Sequence, residues 1–169
     1  FYKYFVNWAG NIKSEVPITI FNDMTHSNKD RLGAIGDLNY TINKGQIDDD
    51  ILVLPGDNLY DFDIGELIDF FFKKKAPVIA AFDMKDKEKV RNTFSSVDFD
   101  DDGRLNYFEE KPEELKTSLT CPAFYIYPRS FLEKIQDYLF DDNNPDAPGN
   151  LVRWAYKRMP VYAYLVKED

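Results

Sequence analysis

Two short runs in this 169-residue sequence have the residue types and spacing for chemistry on a phosphate. Gly56-Asp57-Asn58 follows the apolar run at 51–54, and Glu109-Glu110-Lys111-Pro112 follows the apolar run at 105–108. A carboxylate at a strand end suits a hard cation such as Mg²⁺, which takes oxygen ligands and usually one or two carboxylates. A neighbouring lysine can meet a phosphate as a point charge. The first run therefore predicts a metal site, and the second predicts contacts to a polar or phosphorylated ligand.

Each run also has a purely local explanation. Gly, Asp and Asn dominate turns for conformational reasons, and charged residues at a strand end are usually solvated. In favour of a site, Gly56 permits close approach of a ligand to the backbone, and Asn58 offers both a donor and an acceptor. Alternation along a strand puts Glu109 and Glu110 on opposite faces, so only one of them can serve a given crevice. Spacing alone leaves both explanations open.

The elements that must position these residues alternate between strands and helices. Apolar spacing predicts helices at 1–9, 32–44, 64–75, 130–139 and 151–158, and strands at 16–21, 51–54, 77–82, 123–127 and 161–166. The run at 51–54 is uniformly apolar, as expected of a strand buried on both faces. This alternation is typical of a doubly wound, mostly parallel α/β sheet, in which ligands bind beyond the carboxyl ends of the strands.

The second half of the sequence adds antiparallel structure. Residues 93–99 and 105–108 flank Asp100-Asp101-Asp102-Gly103, which is a strong hairpin signal. The three aspartates resemble half of a calcium loop, but the later bidentate glutamate is missing, so the run predicts a turn. The expected fold is therefore a mixed α/β sheet.

Composition and charge limit the classes of protein to which the chain can belong. The net charge is −9 and no block of Lys or Arg forms a basic face, which argues against a nucleic-acid partner. The apolar run at 67–72 is interrupted by Asp69, so no membrane span is predicted. The single cysteine, Cys121, excludes an internal disulfide and fits a reducing compartment, so we expect a cytoplasmic location. The single histidine, His26, makes zinc or histidine catalysis a poor prospect.

Five stretches of the chain together resemble the sugar-phosphate nucleotidylyltransferase family. In chain order they are a nucleobase-side segment at 27–38, a strand ending in a Gly-Asp-Asn metal site at 52–59, a sugar- and phosphate-binding Glu-Glu-Lys-Pro at 108–112, and the segments 143–149 and 160–164. Their order and gaps match over nearly the whole chain, which is more specific than any one motif. Enzymes similar to glucose-1-phosphate thymidylyltransferase are the nearest group, and their fold is a Rossmann-like nucleotide-diphospho-sugar transferase fold.

This resemblance implies a reaction in which an NTP and a sugar-1-phosphate give an NDP-sugar and pyrophosphate. The sugar phosphate would attack the α-phosphorus in line, and catalysis would consist of positioning and charge neutralisation. By the same resemblance, Asp57 would bind Mg²⁺, Lys111 would hold the sugar phosphate, and Glu110 would hold sugar hydroxyls. Further substrate contacts are implied for Arg31, Leu32 and Gly33 beside the base, and for Gly56, Asn58, Ser95 and Ala123.

The sequence also departs from the family pattern. The family opens with a strand and a Gly-x-Gly-Thr-Arg loop that cradles the triphosphate, and a second metal-binding aspartate would follow Asp169. Ser95 stands where a glycine usually meets the sugar, and Pro122-Ala123 replace a Thr-Gly pair. We therefore expect residues 1–169 to form one partial nucleotidyltransferase-type domain, incomplete at its N-terminus and inactive by itself.

The missing first strand should leave a gap between the strands predicted at 17–21 and 51–54. Exposed backbone at such a gap can pair with another chain, so a homo-oligomer is compatible with the sequence. Two other hypotheses stay open beside the enzyme. One is a non-catalytic domain that binds sugar nucleotides or has a regulatory role, and the other is a purely structural product of truncation that dimerises through the gap.

Overall fold

The computed structural model of the protein describes residues 2–92, 94–114 and 116–167. The helices in these ranges are α1 Tyr2–Asn11, α2 Ala34–Gly45, α3 Ile64–Lys74, α4 Leu132–Phe140 and α5 Pro148–Ala155. The strands are β1 Ile51–Val53, β2 Val78–Asp83, β3 Ser96–Phe99, β4 Leu105–Glu109, β5 Leu119–Thr120, β6 Tyr125–Tyr127 and β7 Tyr162–Leu165. None of the described helices has the length and apolar character needed to cross a membrane.

The main sheet contains strands of both directions. β6 lies between β1 and β2 and is antiparallel to both, while β5 pairs antiparallel with the end of β2. β7 pairs with β2 in parallel. β1, β2 and β7 therefore share one direction, and β5 and β6 run the other way. This confirms the predicted mixed sheet, although β6 separates β1 from β2, so the two do not pair directly.

Helices cover both faces of this sheet, as a doubly wound fold requires. Alternate residues of a strand point to opposite faces. Ile79 and Ala81 of β2 accordingly belong to the core formed with α2, α4 and α5, whereas Val78 and Ala80 belong to the core formed with α3. The predicted doubly wound α/β arrangement is confirmed.

The predicted hairpin is confirmed as β3 and β4, which pair antiparallel. Gly103 takes φ +81 in the turn, and its N–H donates to the Asp100 carbonyl at 2.8 Å. The Gly103 carbonyl accepts from Ala163 N–H at 2.7 Å, and Leu105 N–H donates to the Val161 carbonyl at 2.8 Å. These bonds attach the hairpin to β7. They thereby position β4, whose end is followed by Glu110 and Lys111.

The strand predicted at 16–21 is wrong, because this segment forms neither helix nor strand. A strand needs a neighbour to complete its ladder, and none of the described strands pairs with the segment. Val16 is 70% exposed, and the chain is held further on by Tyr40 Oη, which donates to the Asn22 carbonyl at 2.8 Å. In contrast, β5 is not predicted, since two residues show no periodicity.

β1 lies at an edge of the sheet instead of between two strands. In the described ranges it pairs only with β6, and Leu52 and the following Leu54 are 38% and 39% exposed. The expectation that this strand is buried on both faces is therefore wrong. Helix α1 is similarly uncovered, since none of its described residues is buried.

Candidate functional site

The loop that leaves the carboxyl end of β1 carries the predicted metal ligand. Asp57 and Gly56 are exposed, and a β-carbon built on Gly56 would meet no atom within 4 Å. Asn58 Nδ2 donates to the Pro122 carbonyl at 3.3 Å. The loop is therefore anchored to the turn at 121–123, and the Asp57 carboxylate remains open to a ligand.

The turn at 121–123 is held by Ser95, one of the predicted substrate contacts. The Ser95 hydroxyl is buried; it donates to the Cys121 carbonyl and accepts from the Cys121 N–H, each at 3.1 Å. Because both bonds satisfy backbone groups of the turn, the Ser95 hydroxyl has a structural role. Burial raises the pKa of the Cys121 thiol to about 12, so at neutral pH it is no nucleophile.

Two non-glycine residues of the candidate site take left-handed backbone conformations, Ala123 with φ 67 and Lys111 with φ 46. A residue with a β-carbon pays about 1–2 kcal/mol for this conformation. Such strain concentrates at functional sites, where the surrounding structure imposes it. The related family is expected to carry glycine at position 123. The alanine of this chain therefore has a side chain on a backbone conformation that favours glycine.

Ala123→Gly should therefore raise the free energy of unfolding by about 0.5–1 kcal/mol, because the relieved strain exceeds the entropy gained by the unfolded chain. Urea denaturation followed by circular dichroism would measure this. The matched control is Ala155→Gly in α5, which should destabilise the protein by about 1 kcal/mol or more. A lower midpoint for Ala123→Gly than for the wild type would contradict the prediction.

Glu109 and Glu110 are both half-buried, but their side chains have different surroundings. The register pairs Ser96 with Glu109, which places Glu110 beside Ser95, and a side chain on Gly149 would collide with the Glu110 carboxylate. Burial raises the pKa of the Glu110 carboxyl, and the Lys111 charge opposes that rise. Glu109 instead accepts from Tyr107 Oη at 2.8 Å. The two glutamates thus occupy different environments, and Glu110 is the one available to the site.

The raised pKa of Glu110 predicts a pH-dependent stability difference. A carboxyl whose pKa is higher in the folded state stabilises the protein below its unfolded value of about 4.3, and this contribution is lost as the pH rises through the folded pKa. Glu110→Gln should therefore be more stable than the wild type at pH 7.5, and the difference should vanish towards pH 4. Urea denaturation at both pH values is the measurement, with exposed Glu114→Gln as the control. An equal difference at both pH values would show that burial of the carboxylate costs nothing.

The residues predicted beside the base pack against the loop at 143–149. Arg31 Nη2 forms an exposed ion pair with Asp146 Oδ2 at 2.8 Å, and Ile35 N–H donates to the Pro145 carbonyl at 2.9 Å. Gly33, with φ 77 and ψ 162, is buried against the backbone of Pro145 and Asp146, while Leu32 is exposed. This contact fixes the N-terminal end of α2 relative to α5.

A largely apolar cavity of about 320 Å³ lies between α2 and the end of β1. Its wall includes Leu54 and Pro55 after β1, Ala123 from the turn, and Pro148 of α5. Among the described residues, Asp37 is the one charged side chain that lines it, and its pKa is raised by burial and then by the Asp23 carboxylate. Asp37 is not among the residues predicted to form the site; its position in the first turn of a helix, next to a glycine, is the signal that the sequence offers for it.

The structure gathers most of the predicted residues around this turn and cavity. Ala123 is part of the turn at 121–123, and the side chains of Asn58 and Ser95 form hydrogen bonds to its backbone. Glu110 lies beside Ser95. Lys111 is exposed next to Glu110, and its ammonium has no hydrogen bond or ion pair to any residue that the structure describes. A second group lies at the N-terminal end of α2, where Arg31 and Gly33 contact the 143–149 loop rather than the turn, and Leu32 lies between them in the chain.

The oxygen donors of Asp57 and Asn58 suit a magnesium site in which substrate and water supply most of the ligands. In the described parts of the chain, no cluster of three or more His, Cys, Asp or Glu side chains could hold a metal. Mg²⁺ does not need such a cage, since it is usually bound by one or two carboxylates together with water and substrate phosphates. The exposed Asp57 carboxylate and the neighbouring Asn58 amide are oxygen donors of the kind that this coordination requires.

The family to which the chain belongs follows from its sequence match. Residues 8–169 match the family model described as nucleotidyl transferase, so the chain belongs to the nucleotidyl transferase family. The resemblance to sugar-phosphate nucleotidylyltransferases is confirmed.

Two curated relatives show the range of names in this family. The glucose-1-phosphate adenylyltransferase of Clostridium acetobutylicum is 33% identical over 118 residues, which covers 68% of this chain and 30% of the relative. The valienol-1-phosphate guanylyltransferase of Streptomyces hygroscopicus subsp. limoneus is 33% identical over 90 residues, covering 53% of this chain and 24% of the relative. The chain thus spans less than a third of these proteins.

Two solved structures share the fold. One, described as a glucose-1-phosphate thymidylyltransferase from Bacillus anthracis in complex with sucrose, superposes with a TM-score of 0.64 at 19% identity, covering 80% of this chain and 53% of that one. The other, a UDP-glucose pyrophosphorylase complexed with UDP-glucose, gives 0.61 at 14% identity, covering 81% and 55%. These likenesses confirm the Rossmann-like fold.

Proposed function

We propose that the protein transfers a nucleoside monophosphate from an NTP to a sugar-1-phosphate, with an NDP-sugar and pyrophosphate as products. The observation that carries this proposal is the bond from Asn58 to the Pro122 carbonyl, which joins the Asp57 loop to the turn held by Ser95. A metal-binding carboxylate is thereby connected to the turn beside which Glu110 and Lys111 lie. The names of the curated relatives support the same reaction class.

The proposed roles follow from the environment of each side chain. Asp57 and Asn58 would hold Mg²⁺, which when bound neutralises charge on the phosphates. Lys111 would place its exposed ammonium on the sugar phosphate. The half-buried Glu110 would accept hydrogen bonds from sugar hydroxyls, which are stronger in a site of low dielectric constant. Gly56 would let a phosphate approach the backbone.

The remaining substrate contacts belong to the base and to the sugar ring. Arg31, Leu32 and Gly33 would lie beside the base, because they directly precede Ala34 and Ile35, which line the cavity between α2 and the end of β1. Ser95 and Ala123 would contact the sugar through backbone groups. The net charge of −9 opposes binding of a triphosphate, so the cation and Lys111 are needed to offset that repulsion.

We place this reaction in the cytoplasm, where nucleoside triphosphates are made and the Cys121 thiol stays reduced. Its partners would be the two substrates, with no nucleic acid. A second copy of the chain is a further candidate partner, since the open edge of β1 offers unpaired backbone.

Isothermal titration of residues 1–169 with a panel of nucleoside diphosphate glucoses tests the proposal. We expect binding in the presence of Mg²⁺ and loss of binding in EDTA. Binding that is equally strong in EDTA would favour the alternative of a non-catalytic sugar-nucleotide-binding domain. Absence of binding to every member of the panel in Mg²⁺ would contradict the proposal.

A further inference from the structure

A second cavity, of about 470 Å³, opens on another side of the Asp57-Asn58 loop. We call it the aromatic cavity, because five aromatic rings line it: Tyr60, Phe62, Phe82, Phe94 and Phe124. It shares Asp57 and Asn58 with the candidate site, but neither Glu110 nor Lys111 belongs to its wall. The cavity is therefore a separate compartment next to the proposed metal ligand.

Four of its rings form a packed wall rather than a loose set of side chains. Ring centroids lie 5.1 Å apart for Tyr60 and Phe124, 5.2 Å for Phe62 and Phe124, and 5.3 Å for Phe62 and Phe82, each pair edge to face. Phe124 is buried and anchors the group, whereas Tyr60 stands at the exposed rim. Packed rings keep a fixed orientation, and the electron-rich face of an aromatic ring attracts a cation.

A buried hydroxyl in this wall, that of Thr120, lacks a hydrogen-bond partner among the described residues. Thr120 is 2% exposed, and its Oγ1 has no hydrogen-bond partner among the residues that the structure describes. β5 and β2 pair Thr120 with Phe82, so the two side chains lie on the same face of the sheet and both line the cavity. Leaving a buried hydroxyl unsatisfied is unfavourable. A ligand with an N–H or O–H group would remove that penalty.

The charge of the wall selects the sign of the ligand. Asp57 and Asp61 contribute carboxylates, and none of the described lining residues is Lys, Arg or His. An anion would be repelled by such a wall, whereas a cation gains from the carboxylates and from the ring faces. Since Asp57 is assigned to the metal, Asp61 is the carboxylate that remains for this ligand.

We propose that the aromatic cavity binds a small organic ammonium ion that carries at least one N–H or O–H group. The rings supply the cation–π surface, Asp61 the opposite charge, and Thr120 Oγ1 the hydrogen bond. This site requires neither nucleotide nor metal, so its test is independent of the proposed transfer reaction. An ion bound there would lie directly beside the Asp57 loop.

The test is an NMR titration of residues 1–169, in EDTA and without nucleotide, with three probes of nearly equal size: trimethylammonium, tetramethylammonium and neutral tert-butanol. We expect saturable binding of trimethylammonium about tenfold tighter than that of tert-butanol. Tetramethylammonium, which has no N–H, should bind more weakly than trimethylammonium.

Two variants separate the ring wall from the hydroxyl. Tyr60→Leu, at the exposed rim, should weaken both cations about tenfold and leave tert-butanol unchanged. Thr120→Val keeps the shape of the side chain and should abolish the preference for trimethylammonium over tetramethylammonium. The control is Phe140→Leu, at a ring on α4 that is 92% exposed and lies outside the cavity; it should change nothing.

Three results would overturn the proposal. Equal affinity for trimethylammonium and tert-butanol would make the cavity merely apolar. Cation binding that survives Tyr60→Leu unchanged would place the cation elsewhere. Absence of any saturable binding of trimethylammonium would exclude the site, while leaving the Mg²⁺-dependent binding of NDP-sugars to be judged separately.

Discussion

Replacing Gly33 by alanine should lower the free energy of unfolding by about 3 kcal/mol or more, because two penalties add. The backbone at Gly33, with φ 77 and ψ 162, lies in a region that is essentially restricted to glycine. An added β-carbon would also stand 2.8 Å from the Pro145 carbonyl oxygen and 3.1 Å from the Asp146 nitrogen. Both contacts are backbone atoms that cannot rotate away, so α2 and the 143–149 loop would have to separate.

The matched control is Gly56→Ala, in the loop after β1. A β-carbon there meets no atom within 4 Å, and its φ lies outside the glycine-favoured range, so stability should change by less than about 0.5 kcal/mol. Urea denaturation of both variants gives the comparison. Equal midpoints for Gly33→Ala and Gly56→Ala would mean that the contact between α2 and the 143–149 loop does not hold the fold. The same pair also separates stability from binding, since Gly56→Ala should affect only the approach of a phosphate.

Asp57→Asn should weaken the Mg²⁺-dependent binding of an NDP-sugar by about 100-fold or more. Removing even an outer-shell partner of a metal ligand typically costs 10–100-fold in affinity, and Asp57 is the proposed ligand itself. An amide keeps the shape and the acceptor oxygen but removes the charge that a hard cation requires. Because Asp57 is exposed, the variant should remain as stable as the wild type. Titration in Mg²⁺ and in EDTA measures the effect.

The control for this variant is Asp101→Asn in the turn between β3 and β4, which removes the same charge from an exposed position away from the β1 loop. It should leave binding unchanged. If Asp57→Asn bound the NDP-sugar in Mg²⁺ as tightly as Asp101→Asn, Asp57 would not be the metal ligand, and the proposed reaction would lose its cation.

The sequence pattern predicts elements well where their partners lie within the chain. The apolar strand at 77–82 appears as β2, which has neighbours on both edges, and the turn at 100–103 closes the hairpin β3–β4. The same kind of pattern at 16–21 forms no strand, and β1 is left half exposed. The spacing of apolar residues indicates which face of a segment can be buried. A strand also requires a second strand with which to form hydrogen bonds, and the spacing carries no information about that partner.

In the candidate site, too, features that depend on neighbouring residues could be predicted, whereas contacts between residues far apart in the sequence could not. Asp57 and Glu110 are predicted as site residues because each follows a strand. In the structure Glu109 accepts a hydrogen bond from Tyr107, while burial raises the pKa of Glu110. The use of the Ser95 hydroxyl by Cys121 could not be predicted, since 26 positions separate the two residues. Nor could the unpaired hydroxyl of Thr120, whose environment depends on rings from three other segments.

The deep burial of Cys121 gives the protein an intrinsic reporter. As the single thiol of the chain, it reacts with an alkylating reagent only when the turn at 121–123 opens and the thiolate can form. The rate of alkylation therefore measures local opening at the centre of the candidate site, without an added label. Any molecule that bridges the Asp57 loop and this turn would slow that rate, so mass spectrometry of the modified thiol could screen for ligands before their identity is known.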